Sequence, residues 1–426
     1  MTTSGEATRL ADAIRRASLS PPEHAGERKL LYHAALQLAS KVESPFETLN
    51  RLTFAVRNTF FFYYPRGRAR DVILMKGQGA VQGATKTLSD LKVFDVLSRA
   101  PCREWSLEEL AEETGADMQL LHRLLRCQAS VNHVRETEAG NYEVSHITPF
   151  LALPGTAATI AFNVLFLAPM YLTQAKYLKS TGYKNPTQHD YGIGHVAADI
   201  KGGAPLWDVF ASDPEKANAA FGYFEVQRYG QKGAFLDAPL AKYQLGEEEI
   251  AAHRALLCDI GGGSGHQCLA LRQQRPELRG TLVVTDLASM IDQQDKQTLV
   301  SKEIRSEVDD FLSGESCPVQ GAKIYYLRNI MHDWNDEYCI RILNRFRRAM
   351  APDSIVVIDE IVMPETCATT TACLLDISML NHSSWERSET QWRHVLTEAG
   401  FRLDLKYCYD SERLDHLIFG TQISRQ

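Results

Sequence analysis

"CDIGGGSGHQCLAL", residues 258–271, joins a short apolar run to an amphipathic one through four glycines. The preceding residues, "ALLCDI", have the length and composition of a buried strand, and helical spacing starts after Gly265. Gly261, Gly263 and Gly265 let the backbone turn sharply and approach a ligand where any Cβ would clash. N–H groups at the helix start then face that ligand. The same alternation continues to the C-terminus: "TLVVTD" (281–286), "AKIYYLRNI" (322–330) and "SIVVIDEIVM" (354–363) read as further strands separated by helices. The expectation is an α/β fold, a Rossmann-like doubly wound parallel sheet.

Asp286 adds chemistry to the loop. It ends the second strand, where an acid can accept both hydroxyls of a ribose. Two nucleotide classes fit a glycine turn followed by such an acid. A dinucleotide needs a loop shaped for pyrophosphate. S-adenosyl-L-methionine carries an amino-acid tail and a sulfonium instead, and its loop commonly begins with an acid, as in D-x-G-G-G-x-G. Asp259 stands at that place, and a carboxylate there repels pyrophosphate, so S-adenosyl-L-methionine is the expected cofactor and a dinucleotide the alternative.

Upstream the pattern is helical. Residues 1–80 carry apolar side chains at three- and four-residue spacing, and Phe and Tyr crowd 60–64 more densely than one exposed helix should carry. That density implies packing on a neighbouring domain or on a second copy of the chain. Between 80 and 150, "SLEELAEETG" reads as a helix with Ser106 as N-cap, Glu109 closing a capping box and Gly115 ending it. Asp117 caps the next helix, and "HVRETEAGNYEVSHI" gives two short strands around a turn. Three helices and a β-wing spell a winged helix. Residues 151–245 read mainly as helices, including one capped at Asp213. The expected division is therefore 1–150 helical and winged-helix, 151–245 a helical connector, and 246–426 the Rossmann-like part.

Composition narrows the function. The chain has 426 residues, 44% hydrophobic and 23% charged, with a formal net charge of −7, values of a folded protein of two or three domains. No run of lysines or arginines follows a phosphate backbone, and the acidic "EELAEETG" beside the winged helix would repel one, so nucleic acid is not the expected partner. The nine cysteines show no C-x-x-C pair and no zinc spacing, as in reduced intracellular proteins, and no metal is expected. The N-terminus lacks a signal-peptide core. "TIAFNVLFLAPMYL" (159–172) is too short to span a bilayer and contains Asn163 and Pro169, which points to a buried helix. A cytoplasmic protein without a membrane partner is the expectation.

One stretch asks for more than a fold. In "IYYLRNIMHDWNDEYCIRILNRFRRAM" (324–350) a strand ends at His332-Asp333-Trp334 and an amphipathic helix starts at once. A polar turn would serve the fold equally well. Taken with "DIGGGSG" (259–265), "TDLASMI" (285–291), "DDFLSG" (309–314) and "ERSETQWRHVLTEAGF" (386–401), the chain resembles the class I S-adenosylmethionine-dependent O-methyltransferases of the caffeate and flavonoid type, with fungal polyketide relatives. The likeness covers about residues 80–426 and rests on several motifs in order.

The resemblance implies a homodimer, with the winged helix as dimerisation domain. It implies that Asp286, with Leu287 beside it, holds the ribose, that Asp310 and Phe311 contact the adenine, and that Arg328 stands near the cofactor where the family often has lysine. Trp334 closes on the cofactor side, or is ordinary core. His332 is the general base, and Glu360 and Glu386 are the acids that bracket it. Met379 and His382 lie where substrate-contacting residues occur, and Phe162, Phe166 and Met170 would wall the pocket. "NHSSW" replaces the usual glycine-containing loop, which bears on substrate identity. Some fungal relatives use the bound sulfonium to steer dehydration or pericyclic ring formation without methyl transfer. In that branch the residue at the base position tends to differ, whereas His332 and both glutamates are intact here.

The chemistry needs this set. A phenol of pKa about 10 is mostly protonated at pH 7, so a base must take its proton as the C–O bond forms. Histidine, with an ordinary pKa of about 6.5, can do so. A carboxylate on one ring nitrogen fixes the tautomer and stabilises the imidazolium.

Overall fold

The computed structural model describes residues 68–203, 213–226, 238–243, 254–278, 280–411 and 413–423, with the single positions Arg9, Ala13, Leu206, Ala234 and Phe235. The helices expected before residue 68, and the aromatic run at 60–64, lie outside the described residues. The chain divides into two compact units: Met1–Ala168 with Val209–Gly230, and Pro169–Asp208 with Gln231–Gln426.

In the first unit, helices α1 (Arg68–Asp90), α2 (Val93–Arg99), α3 (Leu107–Thr114) and α4 (Met118–Ala129) precede an antiparallel pair, β1 (Val134–Glu136) and β2 (Tyr142–Val144). The local signals act as read. Ser106 accepts the N–H of Glu109 at 3.1 Å while the Glu109 carboxylate accepts the N–H of Ser106 at 2.9 Å, and Asp117 accepts the N–H of Leu120 at 2.9 Å. Leu88, Phe94, Leu97, Leu110, Leu121 and Leu125 are fully buried between them. This is the expected winged helix.

The helical run Pro154–Ser180 comprises α5 (Pro154–Phe162), a π turn (Asn163–Leu167) and α6 (Ala168–Ser180). The sequence reading treats its apolar stretch as too short for a bilayer. The helix that carries it is 27 residues long and passes for a membrane span by length and composition, with 44% of its apolar window buried inside the protein. In the first unit, α5 packs on α7 (Pro214–Val226), where Phe162 stacks on Tyr223 at 4.5 Å. A Cβ on Gly222 would sit 2.3 Å from the Ala158 methyl, so only glycine permits that approach.

The second unit contains the sheet, in the order β5-β4-β3-β6-β7-β10-β9. Strands β3 (Ala255–Ile260), β4 (Thr281–Asp286), β5 (Ile304–Val308), β6 (Ile324–Arg328) and β7 (Ile355–Met363) are mutually parallel. The two-residue β8 (Arg387–Ser388) pairs with the end of β7. β9 (Phe401–Asp410) and β10 (Asp415–Gln422) form a hairpin, and β10 runs antiparallel to β7. The expected doubly wound parallel sheet thus carries an antiparallel edge, where a tight turn replaces a helical crossover.

Chain order reverses between β3 and β6, which makes the C-terminal ends of these two strands a topological switch point, the place where open α/β sheets bind ligands. The glycine loop leads from β3 into α8 (His266–Gln274), and the histidine loop leads from β6 into α9 (Asp336–Ala349). On one face Ile260, Leu327 and Ile358 pack under Ile342, Leu343 and Phe346 of α9 and under α11 (Glu389–Glu398). On the other, Leu257, Tyr326 and Val357 meet Cys268 and Leu271 of α8. Asn335 caps α9 by accepting the N–H of Tyr338 at 3.0 Å.

Candidate active site

The glycine loop is held open by backbone bonds. Gly261 and Gly262 donate to the carbonyl of Thr285 at 2.8 and 3.2 Å. Gly261 has φ +63°, and a Cβ there would meet Ile330 at 2.5 Å. Asp259, 2% exposed, lies under the loop, where a Cβ on Gly262 would come within 2.7 Å of its carboxyl carbon. Gly263 differs: at φ +56° its Cβ would meet nothing within 4 Å, so this side of the loop is open space. Gly265, at φ +80°, starts α8.

Asp286 ties the loop to β4. One carboxylate oxygen accepts the N–H of Gly263 at 2.8 Å and the other that of Leu287 at 2.7 Å. Each oxygen keeps a lone-pair direction, enough for two hydroxyl donors. Burial raises the Asp286 pKa, and the two backbone bonds act against that. Leu287 and Val308 are exposed apolar side chains at the ends of β4 and β5. Beyond β5, Asp310 accepts the N–H of Leu312 at 2.9 Å, and the Phe311 ring stands edge-on to Trp334 at 6.1 Å.

The second half of the site is the loop after β6. Oε1 of Glu360, on β7, accepts the N–H groups of Ile330 (2.9 Å), Met331 (2.8 Å) and His332 (3.3 Å). Three successive amides converge on one oxygen, which fixes the turn that carries the imidazole. Oε2 of Glu360 has no hydrogen-bond partner and lies 3.4 Å from His332 Nδ1. Nδ1 is 2.8 Å from Glu386 Oε1. Since a carboxylate only accepts, the proton belongs on Nδ1, and Nε2 is left with the lone pair. Asp333 Oδ1 lies 3.9 Å from Nε2.

Electrostatics follow from this geometry. Burial disfavours the His332 imidazolium, but Glu360, Glu386 and Asp333 outweigh it and hold the pKa well above the usual histidine value. Burial also lifts Glu360 to about 8 and Asp333 to about 6, with His332 pulling each down. The donor atoms of His332, Glu360 and Glu386 lie within 4.8 Å of one another, a spacing that a divalent cation could bridge. The 2.8 Å contact is a hydrogen-bond length, and a proton fills the same place.

Several side chains that hold this loop have no role in the sequence reading. Arg387, fully buried, donates to Asp336 (2.8 Å) and to the carbonyls of Met331 (3.1 Å) and Trp334 (2.6 Å), on either side of the histidine. The Ser384 hydroxyl bridges the carbonyls of His332 and Trp334, 2.9 Å from the latter. Asp376 accepts the N–H of Glu386 at 2.9 Å. His189 Nε2 accepts the N–H of Asn335 at 3.0 Å, and burial, which depresses its pKa to about 4, keeps it a neutral acceptor. Arg387 stands inside a motif that the sequence reading quotes, next to Glu386. Ser384 stands inside "NHSSW", also singled out in the sequence, whereas Asp376 and His189 carry no local signal because their partners are remote in the chain.

The structure brings some expected residues together and not others. Asp259, Gly261, Gly263, Gly265, Asp286, Leu287, Asp310 and Phe311 gather at the ends of β3, β4 and β5; Trp334 joins them through Phe311. It is 5% exposed and packs in the core as well as against this edge. Met379 and His382 belong to the end of α10 (Thr370–Leu380) and the turn after it. His382 is half-buried, and desolvation lowers its pKa to about 3, with His332, His189 and His195 acting in the same direction. Arg328 lies on the opposite face of the sheet from Glu360, 3.5 Å from Asp359. Phe162 and Phe166 are buried in the first unit, and Met170 is buried in the second.

Comparison with known proteins gives the same picture. The sequence pattern of the O-methyltransferase domain matches residues 244–402, and that of the O-methyltransferase dimerisation domain matches residues 80–151. The O-methyltransferase lepI of Aspergillus flavus is 34% identical over 334 residues, 75% of this chain and 81% of that protein. Demethylsterigmatocystin 6-O-methyltransferase of Aspergillus parasiticus is 29% identical, covering 80% of this chain and 86% of its own. A structure described as "A Pericyclic Reaction enzyme" superposes with a TM-score of 0.76 at 27% identity, over 99% of this chain and all of that one. The structure of LepI in complex with SAM superposes at 0.74, again at 27% identity, over 99% of this chain and all of that one.

Proposed function

The chain belongs to the S-adenosylmethionine-dependent O-methyltransferase family, and on that premise we propose that it methylates a phenolic or enolic hydroxyl of a small aromatic or polyketide-like secondary metabolite, with His332 as general base. One observation carries the reading: Glu386 holds Nδ1 at 2.8 Å and so leaves Nε2 as the proton acceptor. On the same reading residues 80–151 pair two copies of the chain, as the dimerisation match suggests.

The cofactor site fits its ligand. Gly263 opens onto free space, and Asp286 keeps two acceptor directions for a diol. Asp286 would hold the ribose, with Leu287, Asp310 and Phe311 against the adenine. S-adenosyl-L-methionine supplies an electrophilic methyl on a sulfonium. The chain's own residues do the rest. His332 takes the hydroxyl proton at Nε2, a contribution of roughly 10²–10⁴ in rate. Glu386 fixes the tautomer and stabilises the imidazolium, and Glu360 fixes the loop through three amides. A cation near this cluster disfavours the imidazolium, so the carboxylates and the sulfonium act on the His332 pKa in opposite directions.

The test is S-adenosylhomocysteine formation by the full chain on a panel of phenolic and enolic polyketides. His332→Ala is expected to lower turnover by at least ~10², with S-adenosylhomocysteine affinity within a few-fold of the parent by calorimetry. Turnover that survives the change refutes the base assignment.

A second reading, pericyclic or dehydrative chemistry without methyl transfer, is favoured by the likeness to the structure described as a pericyclic reaction enzyme. The same assay separates the two. Product formed with equal S-adenosylhomocysteine supports methyl transfer; product formed without it supports the second.

A further inference from the structure

Helix α9 carries four arginines, and three of them, Arg341, Arg345 and Arg348, recur at spacings of four and three, so they share a face. All three reach the same stretch of chain. Arg341 donates to the carbonyl of Leu312, Arg345 Nε to that of Ser313 at 2.8 Å, and Arg348 to that of Glu315 at 2.9 Å. Arg345 also grips Asp309 with both terminal nitrogens, at 2.9 and 2.5 Å. This pair is buried, with Arg345 6% and Asp309 8% exposed, whereas Arg341 and Arg348 are exposed. The backbone N–H of Asp309 in turn donates to the carbonyl of Asp286 at 2.9 Å. A continuous line of hydrogen bonds therefore runs from α9 through Asp309 to the acid at the end of β4.

The segment 309–315 has no strand or helix of its own, so its carbonyls take their partners from elsewhere in the chain. What it carries is Asp310 and Phe311. The far end of α9 begins just after Trp334 and is held there by the Arg387–Asp336 pair. One stiff helix, with about 14 Å between Asp336 and Arg345 at 1.5 Å per residue, thus holds the histidine loop at one end and the loop after β5 at the other.

We propose that Arg345 is the positioning residue of the cofactor site, and that it acts with Arg341 and Arg348 by locking residues 309–315 so that Asp310 and Phe311 stand in register with Asp286 for the adenosyl group. The proposal rests on the reading that this loop faces S-adenosylmethionine. Lysine cannot replace Arg345, because it keeps the charge but loses the planar fork that takes two carboxylate oxygens and a carbonyl at once.

Calorimetric titration of the full chain with S-adenosylhomocysteine tests it without any acceptor. Arg345→Lys is expected to weaken binding by about tenfold or more while circular dichroism and a cooperative melt show a folded protein. The exposed pair Arg341→Ala/Arg348→Ala, which threatens folding less, is expected to weaken it about fivefold. A purely structural role would lower the melting temperature of these variants and leave the affinity of the folded molecules unchanged, and that result overturns the proposal. If Arg345→Lys does not fold, unchanged affinity in the Arg341/Arg348 pair overturns it equally. Failure of the parent chain to bind S-adenosylhomocysteine is a different result, which removes the cofactor reading itself.

Discussion

Asp359 and Glu360 are neighbours on β7, each 1% exposed, and they emerge on opposite faces of the sheet. Asp359 is surrounded. It accepts from the hydroxyls of Tyr326 and, at 2.7 Å, Tyr409, and the Arg328 guanidinium lies 3.5 Å away. Its backbone carbonyl takes the N–H of Asn329, at φ +50°, where the chain leaves β6 for the histidine loop. Glu360 spends one oxygen on three amides and leaves the other, without a partner, beside the imidazole. A buried carboxylate with both oxygens engaged is framework. One with an oxygen to spare next to a titrating ring can take part in chemistry.

The largest effect expected from breaking this contrast is on stability. Asp359→Ala removes the carboxylate from beside a buried guanidinium, at a cost of about 3–5 kcal/mol, read as a lower urea midpoint. The midpoint of the pH–rate profile should move far less than on loss of Glu386, because Asp359 faces away from His332 and acts on that side only through a minor influence on Glu360; a displacement as large as that of Glu386→Gln would end the distinction. Next in size is Glu386→Gln. The amide can donate to Nδ1 and so favour the wrong tautomer, and a loss of about 10² in turnover, roughly 2.7 kcal/mol, is expected. The pH dependence has a definite sign. Turnover needs neutral imidazole, so it rises as pH passes the His332 pKa, which the carboxylates hold well above the usual value. Removing one of them lowers that pKa and shifts the rising limb to lower pH. A limb that stays in place would show that Glu386 does not act on the ring's charge.

These contrasts were only partly legible in the sequence. The caps at Ser106, Asp117 and Asn335, the glycine turn and the acid at the end of β4 were readable because each signal and its partner lie within a few residues of one another or at a strand end. The placement of Arg328 was not. β6 is buried along its whole length, so apolar residues occupy both faces and alternation does not say which way residue 328 points. Four strands of the sheet are legible in the sequence, and its two edges are not. β5 has only Ile304 buried at its start, and β9, on the other edge, has Phe401 alone fully covered, so neither shows a long apolar run. β10, between β7 and β9, is apolar enough to find, but its pairing depends on residues more than fifty positions upstream. Arg387 reaches back to Met331 and Trp334, and no local pattern encodes a contact of that range.

The smallest expected effect sharpens the contrast most. Glu360→Gln keeps an oxygen for the three amides, so the loop should hold and turnover should fall only a few-fold, within about 1.4 kcal/mol. What changes is the response to pH. Burial lifts the Glu360 pKa from 4.5 to about 8 in the folded chain. A group whose pKa is raised by folding contributes stability that is complete below its unfolded pKa and is lost as pH rises through the folded one. Between pH 4.5 and about 8 the parent chain therefore loses stability through this residue, and a permanently neutral glutamine does not. Urea midpoints of the two proteins should lie nearest each other, or favour the parent, at pH 5, and shift in favour of Glu360→Gln by pH 8. Asp359→Asn cannot imitate this pattern by the same route, because amide nitrogen would face a guanidinium and two phenols that all donate. If the pH 5 and pH 8 differences for Glu360→Gln are equal, Glu360 is ionised over that whole range, and burial does not lift its pKa in the folded chain.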